Sequence, residues 1–246
     1  LAIMAESLKT IIKRLVKLPG VQIAILSARA IKALERDFQE DDRVILAGNY
    51  GLELRLPDGS EFVEERARKS IEELEQIRDK LVPLTSKNFG GILEDHRLSL
   101  CIHWHKVEPE NMDEFRRKIH IVADGIKTVR LESFPTSFEF FPDMEWTKGD
   151  GLDLISKKCG VDADRSCMTL FCGDTDSDEP AMERANERGG ISVRVGKEPV
   201  STVAKYKFER PAQVEELLSQ YISIKILDLE IDDLNISISE SALAKK

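Results

Sequence analysis

The sequence predicts an α/β fold, a core of parallel strands alternating with helices, interrupted by an insert of α+β character. Three observations carry this prediction. Apolar runs at residues 21–26, 44–48, 168–172 and 191–196 are short and nearly continuous, as in strands covered on both faces. Helical patterns flank these runs toward both ends of the chain, whereas the middle is written in hairpins and charged helices. The run at 168–172 leads straight into Gly173 and three acids at alternate positions, Asp174, Asp176 and Asp178. In open α/β sheets ligands sit outside the carboxyl ends of the strands, where these acids fall.

Taken in order, residues 6–18 place Leu8, Ile11, Ile12, Leu15 and Val16 at helical spacing, and Leu18-Pro19-Gly20 ends that helix. The strand at 21–26 closes in Ser27-Ala28-Arg29, and Ile31, Leu34 and Phe38 begin another helix. After the strand at 44–48 comes Asn49-Tyr50-Gly51. Leu52-Glu53-Leu54-Arg55-Leu56 then alternates with period two into Pro57-Asp58-Gly59-Ser60, the signature of a hairpin. Residues 64–81 read as one long charged helix with a thin apolar stripe (Ile71, Leu74, Ile77, Leu81). Residues 91–95 and 98–104 read as antiparallel strands and 112–123 as a further helix.

Trp146-Thr147-Lys148-Gly149 opens a helix that resumes the core pattern, followed by helices at 180–186 and 212–221. The expected organisation is a core of 1–50 and 144–225, an inserted domain at 51–143, and an acidic tail at 226–246. From Ile222 onward apolar and polar residues alternate, which fits an added edge strand or hairpin, or an acidic linker.

A chain of 246 residues is long enough for such a core and insert. Its net charge of −9 gives no electrostatic support to nonspecific binding of nucleic acid or anionic membranes. A local cationic or metal-lined pocket can still take a small phosphorylated ligand. No apolar run approaches bilayer length and the first residues do not read as a signal peptide, so a cytoplasmic location is expected. The four cysteines, Cys101, Cys159, Cys167 and Cys172, lack CxxC spacing and read as structural thiols of a reducing compartment.

Acidic turns like 174–178 are often solvated loops or helix caps. A calcium loop of the EF-hand type fails here, because its sixth position is Glu179 instead of glycine and its twelfth is Ala185 instead of a bidentate glutamate. A hard cation such as Mg²⁺, which takes carboxylate oxygens and keeps waters for a phosphorylated ligand, fits the remaining chemistry. Ser27 stands at a strand end and a helix start, where its hydroxyl either caps the helix or faces a phosphate. Taken singly, Lys148 reads as a surface lysine and Glu139 as a strand-end acid.

The ordered set Ser27, Lys148, Asp174 and Asp178 resembles the haloacid dehalogenase-like phosphatases, and its flanking residues resemble the trehalose-6-phosphate phosphatase family. Ile25-Leu26-Ser27-Ala28-Arg29 is similar to the family's Ser-Gly-Arg, and Ala47-Gly48-Asn49-Tyr50-Gly51-Leu52-Glu53 to its Gly-x-His-Gly-x-Glu. Trp146-Thr147-Lys148-Gly149 is similar to Trp-Asp-Lys-Gly, and residues 173–179 to Gly-Asp-Asp-x-Thr-Asp-Glu, with Val193-Arg194-Val195-Gly196 following. The resemblance, which extends from about Ala2 to Gln220, implies a Rossmann-like core carrying a cap and a Mg²⁺-dependent sugar-phosphate phosphatase. It implies that Asp174 and Asp178 hold the metal, directly or through water, that Ser27 hydrogen-bonds the phosphoryl group, and that Lys148 neutralises its charge. Glu139, in Glu-Phe-Phe-Pro, would reach the sugar from the cap, with Arg29 and Asn49 also at the substrate.

The sequence departs from the family at Ala28, at Asn49-Tyr50 where histidine precedes glycine, and at His105 and Phe141 where arginines are usual. Losing two cap arginines weakens the hold on a charged substrate, because arginine contacts to phosphate are charge-assisted and often bidentate. The family's nucleophile lies in Asp-x-Asp-Gly-Thr, which this sequence does not contain, and it is expected on a strand upstream of Leu1. Trehalose 6-phosphate is the first expected substrate, with another sugar phosphate as alternative. A phosphatase-like regulatory domain, fused to or associated with a trehalose-phosphate synthase, is the expected rival.

Overall fold

The computed structural model describes residues 4–38, 43–87, 89–161 and 167–243, with side chains described as far as residue 230. The expectations for the first three residues and for 244–246 lie outside these described residues.

The chain opens with helix α1 (Glu6–Leu15), then β1 (Ile23–Leu26), the short α2 (Ile31–Leu34) and β2 (Val44–Gly48). β1 and β2 pair in parallel, Ile23 opposite Val44. Ile12 and Val16, Ile31, Leu34 and Phe38 bury against Val44 and Leu46, so α1 and α2 cover one face of the strand pair. β2 is buried along its whole length, as its unbroken apolar run requires.

The expected hairpin forms as β3 (Glu53–Arg55) and β4 (Glu61–Val63), but it does not belong to the sheet of the insert. β3 pairs antiparallel with β2, giving one sheet of order β1-β2-β3-β4. The inserted sheet therefore starts later than residue 51. The charged segment that follows is two helices, α3 (Glu65–Arg68) and α4 (Ile71–Leu81), with the break at Lys69 and Ser70. Ser70 is buried and its hydroxyl donates to the Thr128 carbonyl at 2.7 Å, a tertiary bond that an uninterrupted helix would not direct inward.

The second sheet contains β5 (Ile92–Asp95), β6 (Leu100–His103), β7 (Val129–Ser133) and β8 (Ser137–Pro142), with α5 (Met112–Ala123) between β6 and β7. Its order is β5-β6-β8-β7, antiparallel throughout. Strand alternation sends Leu100, Ile102, Phe138 and Phe140 to one face, where they pack with Leu74, Ile77 and Leu81 of α4 and Phe115 and Ile119 of α5. Each such buried side chain contributes about 1.5–3 kcal/mol, which is what fixes the register. Cys101, His103, Ser137, Glu139 and Phe141 are left on the opposite, polar face.

The core pattern resumes with α6 (Lys148–Lys158), β9 (Leu170–Gly173), α7 (Glu179–Glu187), β10 (Ile191–Val195) and β11 (Tyr206–Phe208). β9, β10 and β11 form a parallel sheet of order β11-β10-β9. Among the described residues β1 and β9 each pair on one side only. Both meet α6 and α7, through Leu26 and Phe171 packed on Leu152, Ala181 and Ala185.

The last helix, α8 (Pro211–Leu243), replaces the expected strand or linker after Ile222. Nothing between Pro211 and Leu243 is glycine or proline, so no residue stops the helix once started. Winding the alternating pattern into a helix splits its apolar residues between two sides. Ile222 is buried, while Ile224 and Leu227 are exposed. No helix among the described residues is long and apolar enough to cross a membrane.

Candidate functional site

The site begins where β9 ends. Gly173 lets the chain fold back on itself, since a Cβ there would lie 2.5 Å from Cβ and Cγ of Asp178. The Asp178 carboxylate therefore sits directly over the strand end. Its Oδ2 accepts from the amides of Asp174 (3.1 Å) and Thr175 (2.9 Å) and from the Thr175 hydroxyl (2.8 Å). Its Oδ1 accepts from Lys148 Nζ at 2.6 Å. Burial pushes this carboxyl up, but the Lys148 hydrogen bond and charge, with the Thr175 donors, hold it below its ordinary value.

Lys148 reaches Asp178 because α6 starts close against α7. Thr147 and Asp150 form a capping box, the Thr147 amide donating to Asp150 Oδ2 at 2.8 Å, and a Cβ at Gly149 would lie 2.9 Å from the Pro180 carbonyl. The three alternating acids thus have three fates. Asp178 is buried on Lys148. Asp176 is held at 3.0 Å by the buried guanidinium of Arg194, which also grips Glu179 at 3.0 Å. Asp174 is exposed, has no cationic partner among the described residues, and borders an open cavity of about 370 Å³ with Thr175, Arg194 and Gly196.

This distribution bears on the metal. Among the described residues no group of three His, Cys, Asp or Glu side chains is arranged to hold a metal ion. Of the three acids at 174–178, Asp174 offers an uncommitted carboxylate, which suits the hard-cation mode of one or two carboxylates completed by waters and a substrate phosphate. Asp178, expected to hold the metal directly or through water, has each oxygen hydrogen-bonded to protein donors, Oδ1 to Lys148 and Oδ2 to the turn at 174–175.

Ser27 ends β1. Its amide donates to the Ala47 carbonyl (2.9 Å), its carbonyl accepts from Tyr50 N (2.8 Å), and its Oγ accepts from Arg29 N (3.2 Å). The helix α2 is capped by no side chain, so the serine serves the turn and keeps its own hydroxyl proton to donate. The Arg29 guanidinium is half-buried and has no partner among the described residues.

Asn49, Tyr50 and Gly51 are three consecutive residues with left-handed backbone, φ 49°, 59° and 89°. A Cβ at Gly51 would lie 2.5 Å from Gly151 Cα, so glycine there lets the turn touch α6 one turn beyond Lys148. Ser27 and Lys148 are joined through this contact. Asn49, expected at the substrate, is instead buried, its amide donating to Glu53 Oε1 and the His96 carbonyl, both at 2.9 Å, and accepting from the Ser99 hydroxyl at 3.1 Å.

Glu139 lies on the polar face of the second sheet. Ser137 Oγ approaches its Oε1 at 3.4 Å and Cys101 Sγ at 3.7 Å. Burial raises its carboxyl above the ordinary value, although Cys101, Ser137 and the nearby His96 and His103 pull the other way. The Cys101 thiol is pushed up to about 12 by burial and by Glu139, which favours its protonated form. Tyr50 bridges the two halves: its ring meets Phe141 edge-on at 6.4 Å, and its phenol is raised by burial, then by Glu139 and Glu132 from the second sheet and by Asp178 from the core. The sequence assigns no role to Tyr50, Glu53 or Arg194, although all three stand inside the segments that resemble the family's motifs. The left-handed Asn-Tyr-Gly turn was the available signal for Tyr50.

The model of one family, described as Trehalose-phosphatase, matches residues 2–215. A probable trehalose-phosphate phosphatase 3 from Oryza sativa subsp. japonica is 25% identical over 218 residues, covering 82% of this chain and 59% of that protein. The chain thus spans less than two thirds of the length of this relative. A crystal structure of a trehalose-6-phosphate phosphatase related protein superposes with a TM-score of 0.71 at 17% identity, covering 92% of this chain and 90% of that one. The C-terminal domain of a C. albicans trehalose-6-phosphate phosphatase gives 0.66 at 22% identity, with 91% and 86% covered.

Proposed function

Because the chain belongs to the trehalose-phosphatase family, we propose that it is the phosphatase unit of an enzyme that removes phosphate from a sugar phosphate, trehalose 6-phosphate first among them. The observation that carries this reading is the buried Lys148–Asp178 pair set beside the uncommitted Asp174 at the carboxyl end of β9. Phosphoryl transfer asks little covalent work of a protein and much positioning of charge. In this reading the phosphoryl oxygens accept a hydrogen bond from the Ser27 hydroxyl and are neutralised by the Lys148 ammonium, with Arg29 beside them. Asp174 is the protein ligand of a Mg²⁺ ion, which when bound neutralises phosphate charge, and Asp178 fixes both Lys148 and the loop carrying Asp174. Glu139 and Tyr50 face the sugar.

The attacking aspartate belongs, in this reading, to a strand seated at the free edges of β1 and β9, where backbone groups are unpaired among the described residues. The site works in the cytoplasm, on a small-molecule substrate.

Phosphate release from trehalose 6-phosphate, measured with and without Mg²⁺ in the full-length protein, tests the proposal. Release that requires Mg²⁺ and falls at least about a hundredfold in Asp174→Asn supports it. Tight binding of the sugar phosphate with no release overturns it in favour of a regulatory domain associated with a trehalose-phosphate synthase. That second reading is favoured by one observation, the lack of a complete metal-ligand group among the described residues.

A further inference from the structure

The turn between β5 and β6, His96-Arg97-Leu98-Ser99, does not end in solvent. Leu98 is fully buried among Leu52, Val63 and Ala67, with Ile71, Met144 and Trp146 around it. The tip of the second sheet is thus plugged into the hairpin side of the core. Around this plug lies a closed polar network. Asn49 donates both amide protons, to the His96 carbonyl and to Glu53 Oε1, and accepts from the Ser99 hydroxyl. Glu53 Oε1 accepts in addition from Ile31 N at 2.8 Å, and its Oε2 lies 3.7 Å from Arg97 Nη1. Asn49 also donates its backbone amide to the Arg29 carbonyl at 2.8 Å.

The partners of Asn49 and Glu53, through the Asn49 backbone amide and both side chains, belong to different parts of the molecule. Ile31 N and the Arg29 carbonyl are on the segment that leaves β1 just after Ser27. His96, Arg97 and Ser99 are on the second sheet, whose polar face carries Glu139. A buried network with its donors and acceptors matched holds one arrangement firmly, and a loose one is costly. Gly48 leaves room for it, since a Cβ there would lie 2.7 Å from Glu53 Oε1.

We propose that Asn49 and Glu53 are positioning residues that clamp the 96–99 turn onto the loop carrying Ser27 and Arg29, making that turn the fulcrum that sets the Glu139 face over the phosphate end of the site. Its kinetic consequence rests on the sugar-phosphate reading above; its structural consequence does not.

The test compares wild type with Asn49→Asp by hydrogen exchange and by steady-state kinetics on trehalose 6-phosphate. Aspartate keeps the shape and tolerates left-handed backbone, but it places a carboxylate against Glu53 and the His96 carbonyl. Amides of residues 95–100 are expected to exchange about tenfold faster than in wild type at pH 7, with β2 and β10 unchanged. That ratio shrinks as pH falls and the new carboxyl regains a proton to donate. KM rises about tenfold while kcat moves less than about threefold. Unchanged exchange at 95–100, or a rise spread evenly through the chain, overturns the proposal. If Asn49→Asp does not fold, Ser99→Ala, which removes one hydroxyl, is expected to show the same local pattern at about threefold. Local loosening in a protein that releases no phosphate leaves the clamp standing and removes the phosphatase reading.

Discussion

Lys148 Nζ lies 2.6 Å from Asp178 Oδ1, and neither side chain is as much as a tenth exposed. The pair joins the first turn of α6 to the loop after β9, so the ammonium that the proposed function assigns to the phosphate is aimed by the acid that also orders that loop. Breaking a buried pair strands the remaining charge. Lys148→Met is therefore expected to lower unfolding stability by about 3 kcal/mol in urea, and the double change with Asp178→Asn to cost less than the sum of the singles. Additive losses would show that the two side chains do not act as a unit.

Gly173→Ala tests the same loop from beneath. The new methyl would collide with Asp178 Cβ and Cγ, which belong to a held side chain and cannot simply swing away. The expected result is a loss of about 1–3 kcal/mol together with weaker retention of Mg²⁺. Calorimetry with the metal reads the second effect, and unaltered Mg²⁺ affinity would mean that Asp174 is placed independently of Asp178.

Glu139 carries the opposite sign. Its carboxyl is raised mainly by burial, so the unfolded chain gives up this proton at lower pH than the folded one. The stability it contributes is complete below its ordinary value of 4.5 and is lost as pH rises through the folded value. Glu139→Gln is accordingly expected to raise Tm at pH 7 while raising KM for the sugar phosphate at least about fivefold. A lower Tm would show that the carboxylate is net favourable where it stands.

Local signals made the core legible. Continuous apolar runs marked β2, β9 and β10, and the glycine-acid punctuation after β9 marked the loop that holds Asp174 and Asp178. What escaped was set by partners distant in the chain. Nothing within residues 53–63 says that β3 will pair with β2 instead of joining the second sheet. The three acids at 174–178 look equivalent in sequence, and only Lys148 and Arg194 make them different. The neighbours of Asn49 resemble a motif that implies a substrate contact, yet its amide is consumed by Glu53, His96 and Ser99. The alternation after Ile222 reads as an edge strand, a hairpin or an acidic linker, but with no glycine or proline to break it the helix α8 continues through it.

The depressed carboxyl of Asp178 sets an acid limit. Burial opposes its ionisation, but Lys148 and Thr175 outweigh burial and bring the folded value below 3.8. Its contribution to stability is therefore fully present above about pH 4 and is lost as pH falls through the folded value. Urea midpoints measured between pH 5 and pH 2.5 are expected to drop steeply in wild type. In Asp178→Asn the drop should be shallower, from a lower starting point, because the amide neither titrates nor pairs with the lysine charge. Equal slopes in the two proteins would place the acid sensitivity in other carboxylates, with Glu73, held below its ordinary range by the donors of Lys127 and Thr128 against the opposing effect of burial, the next to change.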